Sequence, residues 1–308
     1  MLRERRCRAL VWAAAIVSFT GLTAPFFPPA ELTNHFRPFV LIACIIAVPA
    51  VISLGRSVEA AALIALSLAN VVLFGLPFPT AARSVAVETG RVIKVVSFNT
   101  EHSSRNNDRI VAYLEDVRPD IVLFQEILPG QAVVLFDRLK SDFPSQVFCP
   151  PKSGCILGLL AKAPMIASGY NGRTETVPPR VWADFARPSG QPLRVVGLHL
   201  AFPLMAYRQA RQVETLVRDA DRQQPTILAG DFNLTPWSWL LNKLIWKGGL
   251  RRHGLLDASW PAGLSPAIVP FLLIDNVLTS VDIRSLSFAA GPDLGSDHRP
   301  IVVVLVLP

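Results

Sequence analysis

The sequence predicts an α+β protein, in which a sandwich of two packed β-sheets is preceded by about three transmembrane helices. Two observations lead to this prediction. In the later part of the chain, apolar strand-like runs repeatedly end in a polar residue, which is typical of a two-sheet sandwich with a site at one edge. Among the 308 residues, 51% are hydrophobic and 17% are charged, whereas about 25% are charged in an ordinary soluble protein. The apolar excess is concentrated before residue 80, so we expect a membrane part followed by a folded domain.

Three apolar runs near the amino terminus predict a membrane anchor. They cover residues 9–27, 38–54 and 58–78 and carry almost no charge. Each is close to the roughly 17–25 residues that a spanning helix needs. The first run, with its basic start, also resembles a cleaved signal peptide. The two further apolar runs favour a retained anchor.

Basic residues predict the orientation of this anchor. The cluster within residues 3–8 favours the cytoplasmic side, as does Arg56 between the second and third runs. Three crossings then place the rest of the chain on the outer face. We therefore predict an anchor over residues 1–80, a linker over 81–91 and an outward-facing folded domain over 92–308.

Cys149 and Cys155 bracket a short loop that contains proline and glycine. A disulfide between them would suit an oxidising outer compartment. Two unpaired thiols fit the sequence equally well. A zinc site is disfavoured, because no histidine lies nearby.

Eight apolar runs in the folded domain predict buried strands. They cover residues 92–98, 120–124, 155–161, 181–186, 193–200, 226–229, 272–278 and 301–307. Helical spacing predicts helices near residues 110–117, 132–139, 207–221 and 237–246.

Polar residues at the ends of these strands form the candidate site. They are Asn99, Glu126, His199, Asp231, Asn233, Asp275, Asp297 and His298. A Glu directly after an apolar strand is rarely part of a core, and an Asp inside an apolar strand, such as Asp275, needs a partner. His199 alone is also compatible with a structural role, and Gly-Asp-Phe-Asn at 230–233 with an ordinary turn.

The chemistry of these side chains indicates a metal-dependent hydrolase. Carboxylates, amides and imidazoles occur without a serine elbow or a reactive cysteine. This donor set suits a hard oxygen-binding cation such as Mg²⁺. It therefore favours metal-assisted hydrolysis of a phosphate ester or anhydride.

Six short motifs, taken in order, resemble those of the endonuclease/exonuclease/phosphatase superfamily. They are SFN at 97–99, QE at 125–126, LH at 198–199, GDFN at 230–233, ID at 274–275 and GSDHRP at 295–300. That superfamily includes secreted DNases, abasic-site endonucleases, sphingomyelinases and inositol phosphatases. The resemblance covers the chain from about residue 92 onward. It implies a four-layer α/β sandwich with helices on both outer faces.

The resemblance also implies roles for the site residues. Glu126 looks like the principal ligand of Mg²⁺, or alternatively Mn²⁺, with Asn99 and Asp297 near the metal. Asp231 is similar to the residue that orients or deprotonates the attacking water, and Asn233 to its neighbour that steadies the phosphate.

Three further positions complete these implied roles. His298 looks like the imidazole that contacts the phosphate or aids proton transfer, and Asp275 like the carboxylate that orients it. His199 resembles a second active-site histidine. The family often has an aromatic residue or a histidine where this chain has Asn276, which concerns the substrate side and not the chemistry.

The anchored layout most resembles a bacterial branch of the superfamily that includes a VanJ-like protein associated with teicoplanin resistance. This resemblance implies a multi-pass protein of the bacterial inner membrane with an extracytoplasmic catalytic domain. It also implies a lipid-linked phosphate or pyrophosphate as substrate. A membrane-tethered nuclease is the alternative, but the net charge of +7 is too scattered to predict a nucleic-acid surface. A catalytically silent membrane binding protein is the third hypothesis.

Overall fold

The computed structural model describes residues 2–74, 90–101, 106–221, 223–263 and 269–308. Most of the predicted linker, residues 81–89, lies outside the described residues, and so does the end of the third apolar run, residues 75–78.

The described amino-terminal residues form four helices. These are α1 Leu2–Leu22, α2 Glu31–Asn34, α3 Arg37–Ser53 and α4 Ser57–Phe74. Helix α1 ends earlier than the predicted residue 27, because residues 23–26 turn and Pro28 and Pro29 begin a 3-10 helix. Among the described residues, no single helix combines the length and hydropathy of a membrane span. The helical segments Pro28–Asn34 and Arg37–Ser53 are bent by 53° to each other. Only when they are taken together do they have the length and hydropathy of a membrane span.

The rest of the described chain contains twelve strands in two sheets. In chain order they are β1 Arg91–Asn99, β2 Ile121–Gln125, β3 Ser145–Phe148, β4 Gly158–Ala161, β5 Met165–Asn171, β6 Arg180–Phe185, β7 Leu193–His199, β8 Thr226–Asp231, β9 Leu250–Arg252, β10 Asp275–Ser280, β11 Arg284–Ala290 and β12 Ile301–Leu307. The first sheet has the order β11-β12-β1-β2-β4-β3, and the second has the order β5-β6-β7-β8-β10-β9. Only the pairs β1/β2 and β7/β8 are parallel within these described sheets, so both sheets are mixed.

Four helices cover the outer faces of the two sheets. They are α5 Asn107–Val117, α6 Pro129–Arg138, α7 Ala206–Asp219 and α8 Trp239–Gly248. Helices α5 and α6 pack on the first sheet, for example through Leu114 and Leu135 against Phe124. Helices α7 and α8 pack on the second sheet, for example through Val213 and Leu241, which share an apolar cluster with Leu228.

A third apolar cluster lies between the sheets. It joins Val95 and Leu123 of the first sheet to Val195 and Ile227 of the second. Alternate residues of a strand point to opposite faces, so neighbouring apolar residues fill both this interior and the helix-covered faces. The predicted sandwich of two sheets flanked by helices is confirmed.

Strand pairing brings the polar strand ends to one edge of the sandwich. In the first sheet, Asn99 is paired with Gln125 in the parallel pair β1/β2, so Glu126 follows immediately beside it. In the second sheet, Asp231 is paired with His199 on one side and with Asp275 on the other. Three site residues are therefore neighbours through backbone pairing alone.

A disulfide joins Cys149 and Cys155, which decides between the two alternatives left by the sequence. Both cysteines are buried in the cluster between the sheets. A double Cys149→Ala, Cys155→Ala variant should lose about 2 kcal/mol of unfolding free energy, because the cross-link restricts the unfolded chain. Denaturant unfolding with and without reductant measures this. Reductant should lower the unfolding free energy of the wild type and leave that of the variant unchanged. Equal unfolding free energies for the oxidised wild type and the variant would contradict the prediction.

Candidate active site

Asp231 lies at the centre of the polar edge. Its side chain is only 2% exposed. Its Oδ1 accepts a hydrogen bond from the backbone N–H of Asn233 at 2.8 Å, and its Oδ2 accepts one from Asn99 Nδ2 at 3.1 Å. Burial raises the pKa of Asp231; the attraction of His298 opposes this rise, and the repulsion of Asp275 adds to it. A carboxylate with a raised pKa is a stronger base than an exposed one.

The backbone around Asp231 has unusual geometry. Gly230 has a φ of +151°, and a Cβ at this position would overlap the carbonyl oxygen of Leu198 on the neighbouring strand. Only glycine allows this close approach. Glu126 and Asn233 adopt positive φ angles of 54° and 50°. A positive φ raises the conformational free energy of a non-glycine residue, and residues in this conformation are often found at functional sites.

Glu126 and His199 face Asp231 from the two sheets. Glu126 Oε1 accepts a hydrogen bond from Asn99 Nδ2 at 3.1 Å. His199 Nε2 lies 3.8 Å from Glu126 Oε1 and 3.5 Å from Asp231 Oδ2. The Asn99 amide therefore bridges the two carboxylates through its nitrogen, while its Oδ1 accepts the backbone N–H of Glu101 at 2.9 Å.

Asn233 lies beside His199 on the loop that follows β8. Its Nδ2 is 3.2 Å from His199 Nε2 and donates to the carbonyl oxygen of Leu200 at 3.1 Å. These contacts fix the orientation of the amide at the edge of the site.

His298 and Asp275 form a buried pair. His298 Nδ1 lies 2.7 Å from Asp275 Oδ2, and its Nε2 lies 3.7 Å from Asp231 Oδ2. Burial opposes the charged form of His298, but the carboxylates of Asp275 and Asp231 outweigh it and raise the pKa to about 10. These carboxylates therefore favour the imidazolium form of His298, and its Nε2 faces Asp231.

Asp297 completes the site from the loop before β12. Its Oδ2 accepts a hydrogen bond from Trp260 Nε1 at 2.9 Å, and its Oδ1 has no hydrogen-bond partner among the described residues. Ser296 Oγ donates to the carbonyl oxygen of Asn99 at 2.8 Å, so this loop is tied to the end of β1.

A cavity of about 470 Å³ opens beside these groups. Six of the eight predicted site residues line it: Glu126, His199, Asp231, Asn233, Asp297 and His298. The other two, Asn99 and Asp275, hydrogen-bond to members of that set. The structure thus brings all eight predicted residues to one place.

Sequence reasoning missed several walls of this cavity. They include Leu32, His35 and Phe36 from the amino-terminal part, Phe202, Leu204 and Met205 after β7, and Trp260 and Leu272 before β10. Most are apolar and lie in connections, where no periodic pattern marks them. The tryptophan alone carried a usable signal, because its N–H needs a partner when it is buried.

The donor set fits a divalent cation. Glu126, His199 and Asp231 each offer a ligand atom, and these atoms lie within 4.8 Å of one another. Asp297 lines the same cavity, and its Oδ1 accepts no hydrogen bond among the described residues and lies 3.8 Å from His298 Nε2. Asp231, Asp275 and His298 form a second such group, but the two carboxylates favour the protonated form of His298, which has no lone pair for a cation. The Glu126 side of the site is therefore the better place for a cation.

The family model described as "Endonuclease/Exonuclease/phosphatase family" matches residues 96–298. The chain belongs to this family. Its members are hydrolases that act on phosphoester bonds and depend on a divalent metal, so the geometry and the family agree. No curated protein sequence matches the chain significantly.

Several solved structures share this fold. An endonuclease/exonuclease/phosphatase from Beutenbergia cavernae is 18% identical, with 70% of this chain and 72% of that chain covered and a TM-score of 0.59. The mannosyl-6-phosphatase of Bacteroides thetaiotaomicron is 15% identical, with 70% and 100% covered and a TM-score of 0.57. D. rerio TDP2, solved with a single-strand DNA product, is 17% identical, with 70% and 98% covered and a TM-score of 0.56. At these identities the likeness shows the fold alone.

Proposed function

We propose that this family member is a Mg²⁺-dependent phosphohydrolase or phosphodiesterase that cleaves a phosphate or pyrophosphate bond of an envelope lipid or lipid-linked intermediate. The observation that carries this proposal is the composition of the cavity. It is lined by the carboxylates and histidines of the site, by Arg173 and Arg208, and by apolar side chains that include Leu32, Phe36, Phe202, Leu204 and Met205. A polar reaction centre beside an apolar wall fits a phosphate that carries an apolar chain.

Features of the amino-terminal helices support a membrane anchor. Helices α1, α3 and α4 expose large apolar side chains, such as Trp12, Ile46 and Val72. A soluble monomer rarely exposes so much apolar surface. We therefore propose that these helices lie in the bacterial inner membrane, as in the VanJ-like branch that the sequence resembles.

The disulfide supports an extracytoplasmic position for the catalytic domain, because disulfides persist mainly in oxidising compartments. An anchored site on that face would meet lipid head groups at a high effective concentration.

The chain's own side chains divide the reaction among them. Asp231 accepts a proton from the attacking water, which its buried position favours. The His298 imidazolium, held by Asp275, stabilises negative charge on the phosphoryl oxygens. Asn233 and His199 border the same space and position the phosphate. Glu126 would hold the cation, with the Asp297 carboxylate in the same cavity. The Asn99 amide nitrogen donates to Glu126 and Asp231 and so positions both carboxylates.

The cation, when bound, supplies a Lewis acid that neutralises charge on the phosphoryl group. Removal of divalent metal with EDTA should therefore abolish turnover, and added Mg²⁺ should restore it, with Mn²⁺ as the substitute. The full chain in detergent micelles would be assayed for phosphate release from farnesyl pyrophosphate. Turnover that persists in EDTA would contradict metal dependence.

The same assay tests the substrate class. Plasmid DNA, single-stranded DNA and phospholipid vesicles would be offered beside farnesyl pyrophosphate. The His298→Ala variant should be inactive. Asp142→Ala serves as the control, because it removes an exposed carboxylate outside the site. Cleavage of DNA alone would favour the tethered nuclease. No turnover of any substrate would favour the silent binding protein.

A further inference from the structure

The segment of residues 28–37, here called the α2 segment, is packed against the catalytic domain. Glu31 is buried, and its Oε1 accepts a hydrogen bond from the backbone N–H of Leu240 at 3.4 Å. Leu240 lies in the first turn of α8, where free N–H groups favour a carboxylate. Beside it, Phe39 packs edge-on against Phe271, with ring centroids 5.8 Å apart.

A chain of buried and part-buried hydrogen bonds holds the α2 segment to the other amino-terminal helices. Asn34 Nδ2 donates to Glu31 Oε2 at 3.2 Å, and Arg37 Nε donates to Asn34 Oδ1 at 2.6 Å. Arg37 also donates to Asn70 Oδ1, and Asn70 Nδ2 donates to Ser18 Oγ at 3.0 Å. The segment is therefore fixed between the helices and the catalytic domain.

His35 lies within this fixed segment and lines the active-site cavity together with Glu126, Asp231 and His298. Its side chain is 2% exposed. Neither ring nitrogen has a hydrogen-bond partner among the described residues. The great majority of buried polar side chains in folded proteins have a partner, so this imidazole calls for one that enters the cavity.

The neighbours of His35 indicate what that partner is. Leu32 and Phe36 of the same segment line the same cavity and are apolar. A ligand that satisfies all three positions has a polar oxygen next to an apolar chain. Such a junction lies where the head group of a lipid phosphate meets its tail.

We propose that His35 is a substrate-binding residue that hydrogen-bonds to a head-group oxygen of a lipid phosphate, while the tail lies along Leu32 and Phe36. This inference rests on the proposed function, because it places the non-reacting part of that substrate. It makes the α2 segment part of the active site, with a role in choosing the substrate.

The test compares His35→Phe, which keeps a planar ring without polar atoms, with His35→Gln, which keeps a hydrogen-bonding group. Full-length protein in micelles with Mg²⁺ would be assayed with farnesyl pyrophosphate and with bis(p-nitrophenyl) phosphate, which has no lipid tail. His35→Phe should raise KM for farnesyl pyrophosphate about tenfold with little change in kcat, since it removes a hydrogen bond to a charged group. His35→Gln should keep the KM for farnesyl pyrophosphate within about threefold of the wild-type value.

Thr33→Ala is the matched control, because Thr33 lies in the same α2 segment and its hydroxyl donates only to the carbonyl oxygen of Ala30 among the described residues. An unchanged KM in His35→Phe would overturn the proposal. An equal loss of kcat on both substrates would also overturn it, because it would indicate a general structural role.

A binding measurement separates this proposal from the proposed function. The Kd of a non-hydrolysable farnesyl diphosphonate would be followed by tryptophan fluorescence, with Trp260 in the cavity wall as reporter. Weaker binding by His35→Phe, in a protein that hydrolyses none of the substrates, would support the role of His35 and reject the hydrolase. Absence of binding to the wild type would reject the role of His35, while the turnover assay decides separately on the hydrolase.

Discussion

Replacing Asp231 by asparagine should lower kcat about 10³-fold, within the range that general acid–base catalysis contributes. Asparagine has nearly the same shape but cannot accept the proton of the attacking water. Its amide would also place a second donor against Asn99 Nδ2, which now donates to Asp231 Oδ2. The measurement is the steady-state rate of phosphate release from farnesyl pyrophosphate by the full chain with Mg²⁺.

Two controls test whether the loss of kcat arises from the missing base. Asp142→Asn removes an exposed carboxylate and should leave kcat unchanged. A Mg²⁺ titration shows whether the Asp231 variant still responds to metal at the same concentration. A loss smaller than about tenfold would show that Asp231 is not the base, because such a group contributes at least about 10².

Replacing Asp275 by asparagine should lower the pKa of His298 from about 10 by about 1–3 pH units, because a nearby opposite charge is lost. Asp275 stabilises the imidazolium form of His298, so without it the proton leaves at lower pH. Turnover at pH 7 should fall about 10²-fold. The variant should also lose activity as the pH rises through its lowered pKa, where the wild-type histidine still holds its proton. NMR of ¹³C-labelled histidine measures the titration directly.

Asp184 offers a matched control for this experiment. It is also a buried carboxylate of the second sheet, but its partner is Arg194, at 2.7 and 2.8 Å. Asp184→Asn should weaken the fold without moving the pKa of His298. A His298 pKa that is unchanged in Asp275→Asn would contradict the assignment of Asp275 as the orienting group.

The sequence predicted the central strands of both sheets but not their edge strands. All eight predicted strands occur, and they are the four central strands of each sheet. The strands that were missed, β3, β5, β9 and β11, are the sheet edges in the described chain. Edge strands bury little side-chain surface, and β5 and β11 are largely exposed. They therefore lack the apolar run by which a strand is recognised.

The polar residues of the site were predictable for a related reason. Each lies where an apolar run stops, so Asn99, Glu126 and Asp231 stand out against their neighbours. His35 and its apolar neighbours gave no such contrast, because they lie within a segment interpreted as a connection between membrane helices. Which distant segments meet at a cavity depends on tertiary packing, and the local pattern does not contain it.

Asp231, His199 and Asp275 lie on paired strands, whereas the residues that shape the cavity lie in other segments of the chain. The spacing of these three groups is set by neighbouring strands, whose separation is nearly constant in any sheet. The cavity walls come instead from the α2 segment and from the connections after β7 and before β10. Connections tolerate substitution and insertion far better than paired strands do. Changes in these walls can therefore redirect the enzyme to another phosphate ester while the reacting groups keep their positions.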